Sequence, residues 1–108
     1  MYHELKSIKT HEVFPGFHGR FIHTEKMTLA FWEIVKGSTV PDHAHHHEQV
    51  VNVLEGEFEL TVDGVRQNLS PGMVITIPSQ IRHSGKAITD CKILDVFSPV
   101  REDYIFAS

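Results

Sequence analysis

The stretch Pro41-Asp42-His43-Ala44-His45-His46-His47-Glu48-Gln49-Val50-Val51 crowds histidine beside an amide and a carboxylate in a chain with nine histidines in all. Neutral imidazole is the commonest protein ligand for divalent transition metals, and an amide oxygen can complete such a set. On a strand, residues two apart project to the same side, so His43, His45 and Gln49 converge on one point with a small adjustment where the strand begins. A fourth ligand, His83, follows Pro78-Ser79-Gln80-Ile81-Arg82 at the start of another strand. It is far away in sequence but close once the sheet curls. The set predicts one divalent transition metal ion: nickel, zinc, manganese, iron or cobalt, among which ligand type does not choose. Glu48 replaces Gln49 only if the strand bulges, because in a regular strand it faces the other way. The isolated His3, His11, His18 and His23 read as surface or turn residues. His45-His46-His47 looks like a tag, yet it is internal and flanked by strand signals.

A second group lies near the C-terminus. Asp95 interrupts Ile93-Leu94-Asp95-Val96-Phe97, a run otherwise fit for a core. A buried carboxylate is costly unless paired, so Asp95 is either salt-bridged for structure or placed in a cavity to work. Period-two spacing puts Phe97 on the same face. Arg101 follows a turn at Ser98-Pro99 that can swing its guanidinium over the same place; the alternative is a solvated pair with Glu102 or Asp103.

The elements that must carry these residues are strands. Apolar runs of four to eight residues bounded by Gly, Pro, Asp or Asn recur along the chain, the pattern of an all-β domain. The clearest hairpin joins Glu57-Phe58-Glu59-Leu60-Thr61-Val62 to Val65-Arg66-Gln67-Asn68-Leu69 through Asp63-Gly64, a pair suited to the positive φ angles of a type I′ turn. Further strands are expected at 27–35, 45–55, 73–77 and 92–97, the third stopped by Pro78. Roughly eight strands suit a sandwich or small barrel. Helix is expected only as short hints near Leu5 and Ile8 and over 101–106. Residues 50–54 and 91–97 are apolar on both faces, so something covers the outer side of the sheet: a second subunit or a terminal segment of the same chain.

At 108 residues with 41% hydrophobic and 22% charged content, the chain has room for one domain with a real core. A metal is then functional rather than a staple. The net charge of −4, with no basic block, removes the electrostatic basis for nucleic-acid binding. No stretch approaches the ~20 apolar residues of a membrane span, and the start of the chain lacks a signal-like apolar core, so no membrane partner and a cytoplasmic location are expected. The lone Cys91 excludes an internal disulfide and a cysteine-based zinc site.

The motifs resemble those of the cupin superfamily. Gly37, His43, His45, Gln49 and Gly56 fall on the family's first motif, with Gln in place of Glu; Gly72, Pro78 and His83 fall on its second, with Gln80 in place of glycine and Ala87 in place of asparagine. The resemblance implies a single cupin β-barrel over residues 1–108, of the jelly-roll, double-stranded β-helix kind, with metal-binding motifs at 37–56 and 72–87. It also implies a metal at the barrel mouth on His43, His45, Gln49 and His83. With three imidazoles and an amide the ion keeps its full +2 charge, which favours Lewis-acid polarisation over oxygen activation.

A narrower similarity covers His43 to Gln49, Ile77 to Gly85 and, most distinctively, Leu94-Asp95-Val96-Phe97-Ser98-Pro99-Val100-Arg101-Glu102-Asp103-Tyr104. These look like the small cupins of the pectin-degradation KdgF group, whose members convert 4,5-unsaturated uronates to the linear keto form. That similarity implies a small anionic substrate, catalytic roles for Asp95 and Arg101, substrate binding by Phe97 and Arg101, and a homodimer. Two other functions stand beside this one: a non-catalytic, metal-dependent sugar- or anion-binding cupin, and a metal-dependent dioxygenase.

Overall fold

The computed structural model describes residues 1–106. Among them ten strands form: β1 (His11–Phe14), β2 (Phe17–His23), β3 (Thr28–Ile34), β4 (Thr39–His43), β5 (Glu48–Glu55), β6 (Phe58–Val62), β7 (Val65–Leu69), β8 (Val74–Ile77), β9 (His83–Ala87) and β10 (Cys91–Ser98). They build a six-stranded sheet in the order β1-β2-β3-β10-β5-β8 and a four-stranded sheet in the order β4-β9-β6-β7, with every paired neighbour antiparallel. The all-β domain expected from the apolar pattern is observed, and it is the jelly-roll barrel that the resemblance implies.

Alternation decides which residues face the interior. In β3, Thr28, Ala30, Trp32 and Ile34 are buried; in β10, Cys91, Ile93, Asp95 and Phe97 are. Phe58 and Leu60 of β6 close the core from the other sheet, and Phe17 sets its ring edge-on to both Trp32 and Phe58. Gly85 in β9 is required by this packing, because the Phe58 ring lies 2.5 Å from where a β-carbon would stand. The Asp63-Gly64 turn has φ of 49° and 79°, as a type I′ hairpin needs. Gln80, standing where the resemblance puts glycine, has φ of 67°, so the backbone keeps the glycine-like conformation at some cost in strain.

Three expectations need correction. The strand expected over 45–55 begins at Glu48, and β4 ends at His43. The histidine stretch is therefore not one strand but a crossing from the four-stranded sheet to the six-stranded one. The β1–β2 hairpin, with polar His11, His18 and His23 in half-buried positions, was not legible as strands. The terminal helical hints are single 3₁₀ turns at Leu5–Ser7 and Glu102–Tyr104.

The strands that read as apolar on both sides sit at the centre of the six-stranded sheet. Their outward residues form a transverse row, Ile22, Leu29, Val96 and Val50, in paired register and all half-buried. The N-terminal segment meets this sheet at β2, where the Arg20 Nε–H donates to the Ile8 carbonyl at 3.1 Å.

Candidate metal centre

The strand ends bring three imidazoles together. His43 closes β4 and is the registered partner of His83, which opens β9; His45 lies in the connection between β4 and β5, and Gln49 is the second residue of β5. One nitrogen from each of His43, His45 and His83 lies within 4.8 Å of the others. The His45 Nε2 stands 3.2 Å from Gln49 Oε1.

Hydrogen bonding fixes which nitrogens are free. The Nδ1 of His43 faces the Pro41 carbonyl at 2.9 Å, that of His83 faces the Ile81 carbonyl at 2.9 Å, and that of His45 faces the His47 carbonyl at 3.0 Å. A carbonyl can only accept, so each Nδ1 carries the proton and each Nε2 presents a lone pair. His83 Nε2 is buried with no protein partner. The His45 Nε2 and Gln49 Oε1 are then two acceptors facing each other, an arrangement that a cation between them converts from repulsive to favourable. Backbone carbonyls that hold the far ring nitrogen are the usual support for metal-ligating histidines. The donor set fits a divalent transition ion.

Burial tunes the same groups. It lowers the pKa of His45 from 6.5 to about 4, with the Arg101 and His83 charges adding to the effect. Burial also lowers the pKa of His83. Both imidazoles are therefore neutral, and available as ligands, at pH 7. Glu48 is exposed and outside this group, so the bulged alternative is not what forms.

Asp95 lies on the cavity side of β10, 8% exposed, opposite Val51 and Ala30 in the register. Its Oδ2 accepts the Trp32 indole N–H at 3.0 Å, while Oδ1 has no hydrogen-bond partner. Burial raises its pKa from 3.8 to about 7, against the opposing pull of the Gln49 amide, the Trp32 N–H and the Arg101 charge. Asp95 is thus not salt-bridged. One carboxyl oxygen is held by Trp32 and the other has no hydrogen-bond partner, and the residue lines a cavity of about 50 Å³ together with His43, Gln49, His83, Phe97 and Arg101.

Arg101 is buried, not solvated, and its guanidinium stacks over the rings of Phe97 and Tyr104 at 4.8 and 4.1 Å. Asp103 takes one edge of the fork side-on, accepting from Nε at 3.1 Å and from Nη2 at 2.6 Å. Asp103 thus leaves the end-on edge of the guanidinium, made by one N–H each of Nη1 and Nη2.

The sequence did not reveal how this C-terminal segment is held. The Arg101 backbone N–H donates to Thr28 Oγ1 at 2.9 Å, Thr28 Oγ1 meets His23 Nδ1 at 2.8 Å, and His23 Nε2–H donates to the Tyr104 carbonyl at 3.1 Å. His23, read as a surface residue, is a clasp. Trp32 as the holder of Asp95 was also missed, because the pairing of its strand with that of Asp95 is a tertiary feature.

A metal-ready histidine centre at the end of a small jelly-roll barrel is the mark of one class of protein, and the chain belongs to it: residues 30–97 match the Cupin domain family. Among solved structures, KdgF from Halomonas sp. superimposes with a TM-score of 0.91 at 27% identity, covering 97% of this chain and 98% of that one. An RmlC-like cupin from Shewanella frigidimarina gives 0.92 at 28% identity, covering 96% and 95%. An uncharacterized protein of Streptomyces coelicolor is 26% identical over 85 residues, 78% of this chain and 81% of its own length. The chain is therefore a small cupin that resembles KdgF over nearly its whole length.

Proposed function

We propose that this cupin is a metal-dependent enzyme that opens 4,5-unsaturated uronates and converts them to the linear keto form, using His43, His45, Gln49 and His83 as metal ligands and Asp95, Phe97 and Arg101 at the substrate. One observation carries the reading: a buried carboxyl group with a free oxygen, Asp95 Oδ1, shares a cavity with His43, Gln49, His83 and Arg101. The likeness to KdgF supports it.

The reaction is an isomerisation. The hemiacetal C–O bond of the ring breaks to leave an aldehyde and an enol; the enol oxygen then gives up its proton and the neighbouring carbon gains one. When bound, the divalent ion supplies Lewis-acid stabilisation to the oxygen on which negative charge develops. Asp95 does the proton work. With a pKa raised to about 7 it holds and releases a proton near neutral pH, where a general acid–base is most effective. The Trp32 N–H fixes one carboxyl oxygen, which leaves the other directed to substrate. Arg101, already anchored by Asp103, offers its remaining edge to the substrate carboxylate, and the Phe97 ring packs beside it. The interior cavity is small, so it takes the reacting end of the sugar while the rest lies at the mouth.

A second copy of the chain covers the half-buried row Ile22, Leu29, Val96 and Val50 in this reading. No helix among the described residues is long and apolar enough to cross a membrane.

The test is to load the protein with metal, add 4,5-unsaturated galacturonate and follow the ultraviolet absorbance of the conjugated alkene. The reading requires the absorbance to fall at a rate proportional to enzyme. An unchanged rate relative to substrate alone, in a sample shown to bind the sugar, leaves the non-catalytic binding reading in its place.

A further inference from the structure

The centre described above uses His43 and His45 but leaves the other two histidines of the same connection, His46 and His47, without a role. They meet Glu102, from the 3₁₀ turn at Glu102–Tyr104: one ligand atom from each of His46, His47 and Glu102 lies within 4.8 Å of the others. His46 and Glu102 are exposed, while His47 is only 4% exposed and neither of its ring nitrogens has a hydrogen-bond partner. An imidazole buried with both nitrogens unsatisfied is costly, and buried polar atoms of this kind are uncommon in native proteins.

The spacing explains that cost. His47 Nε2 stands 3.7 Å from Glu102 Oε2, too long for a hydrogen bond but close to the separation of two ligands that each lie ~2.1 Å from one ion. The His46 and His47 rings lie with centroids 3.8 Å apart, so the second imidazole is already beside the first. Arg101, whose charge acts on His47, is paired with Asp103 at 2.6 Å. We propose that His46, His47 and Glu102 form a second divalent-cation site at the rim of the barrel, separate from the first. Two imidazoles and one carboxylate suit a borderline ion of the zinc type rather than magnesium or calcium. Because two of its three ligands are exposed, this site fills after the inner one.

The site has a structural consequence. An ion there fastens the β4–β5 connection to the turn that follows Arg101, and the His47 carbonyl that accepts the His45 Nδ1–H belongs to one of its ligands. Occupancy at the rim thus holds the Arg101 segment against the barrel mouth.

Equilibrium dialysis of the full chain against a series of free Zn²⁺ concentrations, with bound metal counted per chain, tests this. The wild type is expected to take up two equivalents in separate steps, and His46→Ala and Glu102→Gln, both at exposed positions, are each expected to take up one, with unchanged circular dichroism. In the wild type the His47 ring proton resonances should move during the second step. His83→Ala should lose the tighter equivalent and keep the weaker. A single equivalent in the wild type up to millimolar zinc overturns the proposal, as does a second equivalent that survives in either rim variant, since that zinc would sit on other surface histidines.

Discussion

His43 and His83, forty positions apart, face each other as registered partners across the β4–β9 pair, with their ring centroids 4.3 Å apart. The pairing of two strands in the four-stranded sheet therefore sets the spacing of two of the proposed ligands. Gln49 comes from the opposite sheet, and His45 from the connection between them. An ion held by all four ties the two sheets together at the mouth.

Asp95→Asn tests the proton-transfer role. Removing a general acid–base typically costs ~10²–10⁴-fold in rate. Turnover is expected to fall by that order while metal content stays at the wild-type level, as checked by elemental analysis and the alkene assay; near-wild-type turnover would remove Asp95 from the mechanism.

The same variant has a stability signature in metal-free protein. The folded pKa of Asp95, about 7, lies above its unfolded value of 3.8, so the folded state holds the extra proton between those values and wild-type stability declines as pH rises through that window. Asparagine has no such proton to lose. Metal-free Asp95→Asn should therefore be more stable than wild type at pH 8, by at most about 4 kcal/mol from roughly three pH units at 1.36 kcal/mol each. Urea unfolding at pH 5 and pH 8 measures the difference, and a variant less stable than wild type at pH 8 contradicts it.

His45 is expected to titrate with a midpoint near 4 in metal-free protein, read from the pH dependence of its ring proton resonances. Its folded value lies below the ordinary 6.5, so the stability it contributes is complete above pH 6.5 and is lost as pH falls towards 4. It also remains an available ligand where a free imidazole would already be protonated. A midpoint near 6.5 would show that the ring is not desolvated.

Arg101→Lys keeps the charge but loses the planar fork and its stacking between Phe97 and Tyr104. A hydrogen bond to a charged group is worth ~1.5–3 kcal/mol, so kcat/KM for an unsaturated uronate should drop about 10- to 100-fold, most of it in KM. Equal losses for a substrate analogue lacking the carboxylate would count against a carboxylate contact.

Val96→Asp places a charge in the middle of the apolar row on the outer face of the six-stranded sheet. If a second copy covers that row, light scattering should find the wild type as a dimer and the variant dissociating at least ~30-fold more readily, the ~2 kcal/mol of an interface hot spot. A wild-type monomer at the same concentration rejects the interface.

The fold was legible because short apolar runs are bounded by turns with their own chemistry: Asp63-Gly64 supplied two positive φ angles and Pro78 stopped β8 after Ile77. The sequence singled out His43, His45, Gln49 and His83 as neighbours through spacing, yet for a partly wrong reason, since a strand carrying all three of the first set does not exist. The chain leaves the four-stranded sheet after His43 and enters the other at Glu48, and a local pattern holds no record of which sheet a strand joins. The partners of the C-terminal group were hidden for the same cause. Trp32 and Asp95 are 63 residues apart, and Thr28 and Arg101 are 73 apart, so only tertiary structure brings them into contact. The Arg101–Asp103 pair was legible as an alternative, but not that Arg101 would be buried while making it.

A single cation among His43, His45, Gln49 and His83 would be located by anomalous scattering from crystals of the metal-loaded protein, measured at the absorption edge of the ion. A peak is expected about 2.1 Å from the Nε2 atoms of the three histidines and close to Gln49 Oε1. A peak that leaves out His83 Nε2, or no peak between β4 and β9, contradicts that site.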